Sequence, residues 1–146
     1  MMDPTFVAGD RLSAADVYAV WQVRDLVFAV EQRCDEPDVD GLDLLAGTTH
    51  GWFADDAGLS SYLRTFVATD GIRRIGRVCT RRDARGRGLS GRLITAVHDR
   101  WGDDELRLGA QAYLEQWYAG FGYTRCGDPY VEAGIDHVPM RRPGTS

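Results

Sequence analysis

The feature that most restricts this chain is the stretch Arg85-Gly86-Arg87-Gly88-Leu89-Ser90-Gly91, which separates a β-like run, Arg74–Thr80, from an apolar series at helical spacing, Leu89, Leu93, Val97 and Trp101. A strand that enters a helix through glycines needs a fold in which the helix packs back onto a sheet. A helix begins with unpaired N–H groups and a partial positive charge, and glycines let the main chain come close to an anion held there. A lone glycine pair can equally be a tight turn with no ligand. Here it lies among eight arginines between Arg73 and Arg92, against one acid, Asp83, in a chain whose net charge is −5. With no GK[ST] and no GxGxxG, the expected anion is a diphosphate held outside the P-loop and dinucleotide designs. All 17 basic residues are arginines, so lysine Schiff-base and lysine general-base mechanisms are excluded.

The remaining segments alternate between the two periods. Ser13 and Asp16 form a capping-box signal, after which Val17, Val20, Trp21, Val27 and Phe28 predict a helix from about Ala14 to Val30. Cys34–Leu45 has neither period and reads as a loop, ordered or mobile. Thr49–Ala54 and Ser61–Ala68 predict a hairpin about Asp55-Asp56-Ala57-Gly58, and Arg74–Thr80 a third strand after Asp70-Gly71. Leu106–Ala110 reads as a buried strand. Leu114, Trp117, Tyr118 and Phe121 predict a helix ending at Gly122, and Thr124–Val131 and His137–Arg142 two strands around Ala133-Gly134. Hairpins at both ends of a strand–helix–strand centre imply an α/β fold with a mixed sheet. At 146 residues, 1–146 form a single domain.

Cys34, Cys79 and Cys126 are three, with no CxxC, which argues against a disulfide framework and a zinc site. No metal is expected, since the histidines also lack metal-ligand spacing. His50 and His98 are expected to be structural or surface residues, and Cys79 a small hydrophobe within its strand. No apolar run suits a membrane span, the first ten residues carry no secretory signal, and the cytoplasm is the expected compartment. Nucleic acid is not an expected partner, because no aromatic is interleaved between Arg73 and Arg92. From Glu31 to Asp56 eight acids face one arginine, Arg33, so that side suits a cationic partner or is solvated surface.

The loop core Asp83-Ala84-Arg85-Gly86-Arg87-Gly88 resembles the acetyl-CoA pyrophosphate loop of the GNAT superfamily of N-acetyltransferases. Val30-Glu31-Gln32-Arg33-Cys34, Leu108-Gly109-Ala110-Gln111, Tyr118-Ala119-Gly120-Phe121-Gly122-Tyr123 and Gly134-Ile135-Asp136-His137 are similar to elements of its ElaA-like branch. These elements span about Val23 to Met140. Asp83 departs from the usual Gln or Arg at the head of the loop, and Ser90 stands where glycine is common. A carboxylate aimed at a diphosphate would be repelled, so Asp83 is expected to face away or to pair with an arginine.

The resemblance implies a mixed, mostly antiparallel sheet whose central parallel strands splay, flanked by helices. It also implies acetyl-CoA as acyl donor, transferring its acetyl group to an amine of a small molecule or peptide by direct attack in a ternary complex. Val78, Cys79, Thr80 and Gln111 would flank the pantetheine arm, and Arg85, Gly86, Arg87, Gly88, Leu89 and Ser90 the diphosphate. Tyr118 would be the acid for the departing thiolate; Glu31, His137 and Glu132 stay open as the base. Glu31, Asp40, Glu132 and His137 are the expected acceptor-side residues, with a cationic amine as acceptor. The alternative from the same fold is an acyl-CoA-binding module or sensor with little turnover. A homodimer stays open.

Overall fold

Alternation along two neighbouring strands assigns the core to two faces. Trp52 and Tyr62 point one way, to Val20, Val23, Val27, Leu59 and Cys79; Phe53 and Leu63 point the other, to Ile75, Leu93, Ile94, Val97, Leu106 and Leu108. The computed structural model describes residues 2–145. In it β1 (Thr5–Ala8), β2 (Thr49–Asp55), β3 (Gly58–Val67), β4 (Arg73–Thr80), β5 (Leu106–Gln111), β6 (Thr124–Arg125), β7 (Tyr130–Glu132) and β8 (Ile135–Arg142) form one sheet. Its order is β1-β2-β3-β4-β5-β8-β6, with β7 paired to β8. Helix α1 (Ala14–Arg24) covers the first face, and α2 (Leu89–Trp101) with α3 (Glu115–Ala119) covers the second. Among the described residues only β4 and β5 run parallel.

Ser13 caps α1 as its spacing predicts: its Oγ accepts from Asp16 N at 3.0 Å, and its own N–H donates to Asp16 Oδ2 at 3.1 Å. Ala133 (φ 52°) and Gly134 (φ 78°) make the two-residue turn between β7 and β8. Four elements differ from the sequence expectation. The helix expected through Val30 is α-helical only to Arg24 and continues as a π-helix over Asp25–Glu31, closed by Gln32 N–H donating to Val27 O at 2.9 Å. The helix expected over Leu114–Phe121 is a 3-10 turn followed by the five-residue α3. The strand expected over Thr124–Val131 is two short strands, β6 and β7, because Gly127 and Pro129 fall between them. Finally, β1 carries too few residues to show a period; it is an edge strand whose Phe6 ring lies against Gly51, where a Cβ would come within 2.6 Å of it.

The acidic loop after the π-helix is held by a closed ring of alternating charges. Arg24 donates to Asp43 Oδ1 at 2.6 Å, and Arg64 donates to the same oxygen at 2.8 Å. Arg64 also grips Asp40, whose Oδ2 lies 3.5 Å from Arg77 Nη2. Arg77 Nε pairs with Asp38 Oδ1 at 3.0 Å, and Asp38 Oδ2 returns to Arg24 Nε at 2.8 Å. Three arginines from α1, β3 and β4 thus neutralise three aspartates of one loop. His50 lies beneath, neutral by its partners: Nε2–H donates to Asp43 O at 2.8 Å, and Nδ1 accepts from the Tyr62 hydroxyl at 2.6 Å. Much of the acid surplus in this segment is therefore satisfied within the fold.

This ring should govern acid stability. Burial raises the Asp40 carboxyl, but the Arg64 hydrogen bond and charge, the Leu42 N–H and Arg77 outweigh it and hold it down to about 2. A depressed carboxyl contributes stability that is complete above its ordinary 3.8 and lost as pH falls through the folded value. Unfolding followed by circular dichroism should therefore show stability falling between about pH 4 and pH 2, with a shallower slope in Asp40→Asn. An identical slope in that variant would show that the ring does not set the acid limb.

Candidate functional site

The parallel pairing of β4 and β5 lasts for three positions, Arg73↔Leu106, Arg74↔Arg107 and Ile75↔Leu108, and then stops. Beyond it the two strands diverge, and Gly76–Thr80 on one side and Gly109–Gln111 on the other have no ladder partner across the gap. A bulge in the β3–β4 ladder begins the divergence. Between Tyr62↔Cys79 and Arg64↔Gly76, two β4 residues, Arg77 and Val78, stand against Leu63 alone. Arg77 takes the left-handed conformation at φ 52°, which an arginine adopts only when its surroundings hold it there.

The gap opens into a cleft of about 2140 Å³, larger than the ~300–1,000 Å³ that one small ligand commonly occupies. It brings together Val78, Cys79, Thr80, Arg85, Gly86, Gly88, Leu89 and Ser90 from the loop side and Glu31, Asp40, Gln111, Tyr118, Glu132 and His137 from the other walls. Of the residues singled out in the sequence, Arg87 does not line the cleft.

At the loop, Gly86 (φ 80°) and Gly88 (φ 72°) occupy conformations that favour glycine, and a Cβ on either would meet no atom within 4 Å. Gly88 is the N-cap of α2 and supplies no side-chain cap, so the N–H groups of Leu89, Ser90 and Gly91 lack intrahelical acceptors and face outward. This donor set fits an anionic group. Ser90 ties the helix start to the sheet instead of widening the loop: its Oγ bonds Thr80 Oγ1 at 2.5 Å, and Thr80 bonds Ser61 Oγ at 2.9 Å. Asp83 turns to Arg81, which also holds Asp55. Arg85 donates a fork to Glu31 at 2.6 and 2.7 Å, and its Nε donates to Thr80 O at 3.1 Å.

The arginine concentration is largely consumed by such contacts. Arg73 lies over Trp101 at 4.2 Å and Arg92 over Phe53 at 4.5 Å; Arg74 binds Asp70 and Arg77 belongs to the ring. Arg87 has no hydrogen bond or ion pair among the described residues, and Arg82 reaches only Glu31, at 4.0 Å. These two, beside the orphan N–H groups, are the charge free to meet an anion.

At the other end of the gap, Tyr118 is 4% exposed, and its hydroxyl makes no hydrogen bond among the described residues. Burial, then the neighbouring Tyr123 and Tyr113, push its hydroxyl pKa up, so it keeps its proton. The His137 ring is buried and stacked on Tyr130 at 5.4 Å. Its Nδ1 lies 2.7 Å from Ile135 O, an acceptor only, so Nδ1 carries the hydrogen and Nε2 presents a lone pair in the neutral ring. Glu132 stands 3.9 Å from Nε2. Glu31 is held below the usual carboxylate range, chiefly by the Arg85 hydrogen bond. Gln111 Nε2 donates to Gln32 Oε1 at 3.0 Å, joining the end of β5 to the end of the π-helix. Burial raises the Cys79 thiol to about 12, which keeps it protonated and inert. Arg24 and Arg64 escaped the sequence reading, and Arg77 was counted there only with the arginines expected to meet an anion, because their acidic partners are up to 39 residues away. Among the described residues no cluster of His, Cys, Asp and Glu could hold a metal ion, and no helix is long and apolar enough to cross a membrane.

Residues 42–143 match the sequence model of the Acetyltransferase (GNAT) domain. UPF0039 protein Rv2851c of Mycobacterium tuberculosis is 46% identical over 138 residues, covering 92% of this chain and 88% of that protein. Protein ElaA of Escherichia coli is 37% identical over 141 residues, covering 90% of each. The crystal structure of an acyl-CoA N-acyltransferase from Pseudomonas aeruginosa superposes with a TM-score of 0.86 at 38% identity, covering 97% of this chain and 99% of that one.

Proposed function

Because the chain belongs to the GNAT acetyltransferase family, we propose that it transfers an acetyl group from acetyl-CoA to an amine of a small molecule or peptide, by direct attack in a ternary complex. The observation that carries this reading is the unpaired gap between β4 and β5, which leads from the proton held by Tyr118 to the orphan N–H groups of α2. When bound, acetyl-CoA supplies an activated acyl group and a thiol leaving group.

Each wall then has a task. The N–H groups of Gly86 to Gly91, with Arg87 and Arg82, bind a diphosphate; the open edge of β4 at Val78, Cys79 and Thr80 receives an extended arm as an added strand would, Gln111 facing it. A backbone N–H near Val78 favours negative charge on a carbonyl oxygen there. Nε2 of His137 accepts a proton from the acceptor amine, and Glu132 favours the imidazolium that results. Tyr118 gives its proton to the leaving thiolate. Glu31, forked to Arg85, is poorly disposed to take a proton. Asp40 is already paired, whereas Glu36 and Glu132, on the cleft wall with His137, have no arginine partner among the described residues and attract a protonated amine.

The test is calorimetric titration with acetyl-CoA, followed by thiol release with an amine panel. Arg87→Ala should weaken acetyl-CoA binding roughly 10-fold or more, as loss of a charge-assisted hydrogen bond does. His137→Gln should lower turnover on the order of 10²-fold or more while acetyl-CoA affinity stays near wild type, as loss of a positioned base does. No binding of acetyl-CoA would refute the reading, and binding without turnover of any amine would favour an acyl-CoA-binding module.

A further inference from the structure

Arg77 belongs to both halves of the cleft at once. Its backbone is the left-handed residue of the bulge that opens the gap between β4 and β5. Its guanidinium leaves that bulge for the acidic loop: Nη2 donates to Asp38 O at 3.0 Å and lies 3.5 Å from Asp40 Oδ2, and Nε pairs with Asp38 Oδ1 at 3.0 Å. Residues 36–40 of that loop line the same cleft as Gln111, Glu132 and His137. The loop has no regular secondary structure, and its tip packs near the β7–β8 turn, where a Cβ on Gly134 would lie 3.5 Å from Asp35 Oδ2.

We infer that Arg77 is a positioning residue, fixing the acceptor-side loop 36–40 at a set distance from the β4 bulge where the acyl group is received. The inference rests on the acetyl-transfer reading for its kinetic consequence. The physical argument is that the ring has two kinds of member. Arg24 and Arg64 are buried, with side chains 0% and 4% exposed; they share Asp43 and reach Asp38 and Asp40 from α1 and β3, away from the gap. Arg77 is 27% exposed, and it alone of the three arginines comes from the strand that borders the gap. Its hydrogen bond and ion pair with Asp38 therefore add little to global stability, but they are what ties the loop's outer half to the strand bordering the gap. Effective catalysis needs reacting groups held within a fraction of an ångström, and a displacement of about 1 Å can cost on the order of 100-fold.

Arg77→Gly separates the two roles, because glycine keeps the positive φ of the bulge while the guanidinium is lost. The variant should bind acetyl-CoA within about 2-fold of wild type by calorimetry, with its urea midpoint close to wild type. Hydrogen exchange of residues 36–40 should become on the order of 10-fold faster, in the absence of any ligand. In thiol release with 1,4-diaminobutane, phenethylamine and an alanine tripeptide as acceptors, acceptor KM should rise on the order of 10-fold while donor KM stays put. Arg77→Lys, which keeps the charge but loses the planar fork, should restore little of this. Arg77→Asn, whose short side chain tolerates the positive φ but cannot carry the fork, should reproduce the effect if the glycine variant folds poorly. Unchanged exchange of 36–40 in both variants, or a loss of acetyl-CoA affinity equal to the rise in acceptor KM, would overturn the inference. Failure of wild-type protein to bind acetyl-CoA would instead defeat the acetyl-transfer reading, and the ligand-free exchange arm would still decide the role of Arg77.

Discussion

Asp43→Asn is expected to lower the unfolding free energy by about 3–5 kcal/mol, because it removes the one carboxylate shared by two buried guanidiniums. Asp43 is 4% exposed, Arg24 0% and Arg64 3%, so water cannot replace the lost partner. The surviving amide is isosteric, and the penalty arises from net positive charge left in a poorly solvated site, where Arg24 keeps only Asp38 and Arg64 only Asp40, rather than from a cavity. For a domain of this size such a loss lowers Tm by roughly 6–20 °C. Urea denaturation of the two proteins, followed by Trp fluorescence, measures it directly. A change below about 1 kcal/mol would mean that the ring is solvated in solution and does not hold the loop.

Tyr118→Phe is expected to lower kcat on the order of 10²- to 10⁴-fold, the range for loss of a positioned acid. The deleted hydroxyl has no hydrogen-bond partner among the described residues, and the ring keeps its edge contacts with Trp117 at 4.8 Å and Tyr123 at 6.0 Å. Stability and acetyl-CoA affinity should therefore stay near those of wild type, which separates this variant from one that merely repacks α3. Because burial raises the tyrosine pKa, the wild-type enzyme should keep the acid protonated up to and beyond the ordinary tyrosine range near 10. Turnover in Tyr118→Phe within about 3-fold of wild type, at saturating donor and acceptor, would remove this group from the mechanism.

The two predictions differ in how far their residues could be foreseen. Tyr118 lies in a short apolar series ending at Gly122, and its neighbourhood is set by residues within a few positions and by the strand before it. Asp43 lies in a run of acids with no period, where sequence suggests a surface seeking cations. Its cations were in the chain, 19 and 21 residues away on α1 and β3, and an ion pair of that span leaves no local trace. The arginine-rich segment shows the same limit from the other side. Its excess charge was legible, whereas its distribution was not: Glu31 lies 54 residues before Arg85, and Trp101 takes Arg73 through its ring face.

Local chemistry is therefore what the amino-acid order determined here. Glycines at two positive-φ positions, an apolar helix behind them, and a strand in front suffice for a helix start with unpaired N–H groups. The alternation Trp52-Phe53 and Tyr62-Leu63 likewise determines a sheet covered on both faces. Tertiary structure alone decided the rest. The point where β4 leaves β5, the π-helical turn that carries Glu31 to Arg85, and the ring that closes the acidic loop depend on contacts between segments distant in sequence. Backbone periodicity is a property of neighbours, while charge pairing is a property of proximity, and proximity exists only once the chain has folded.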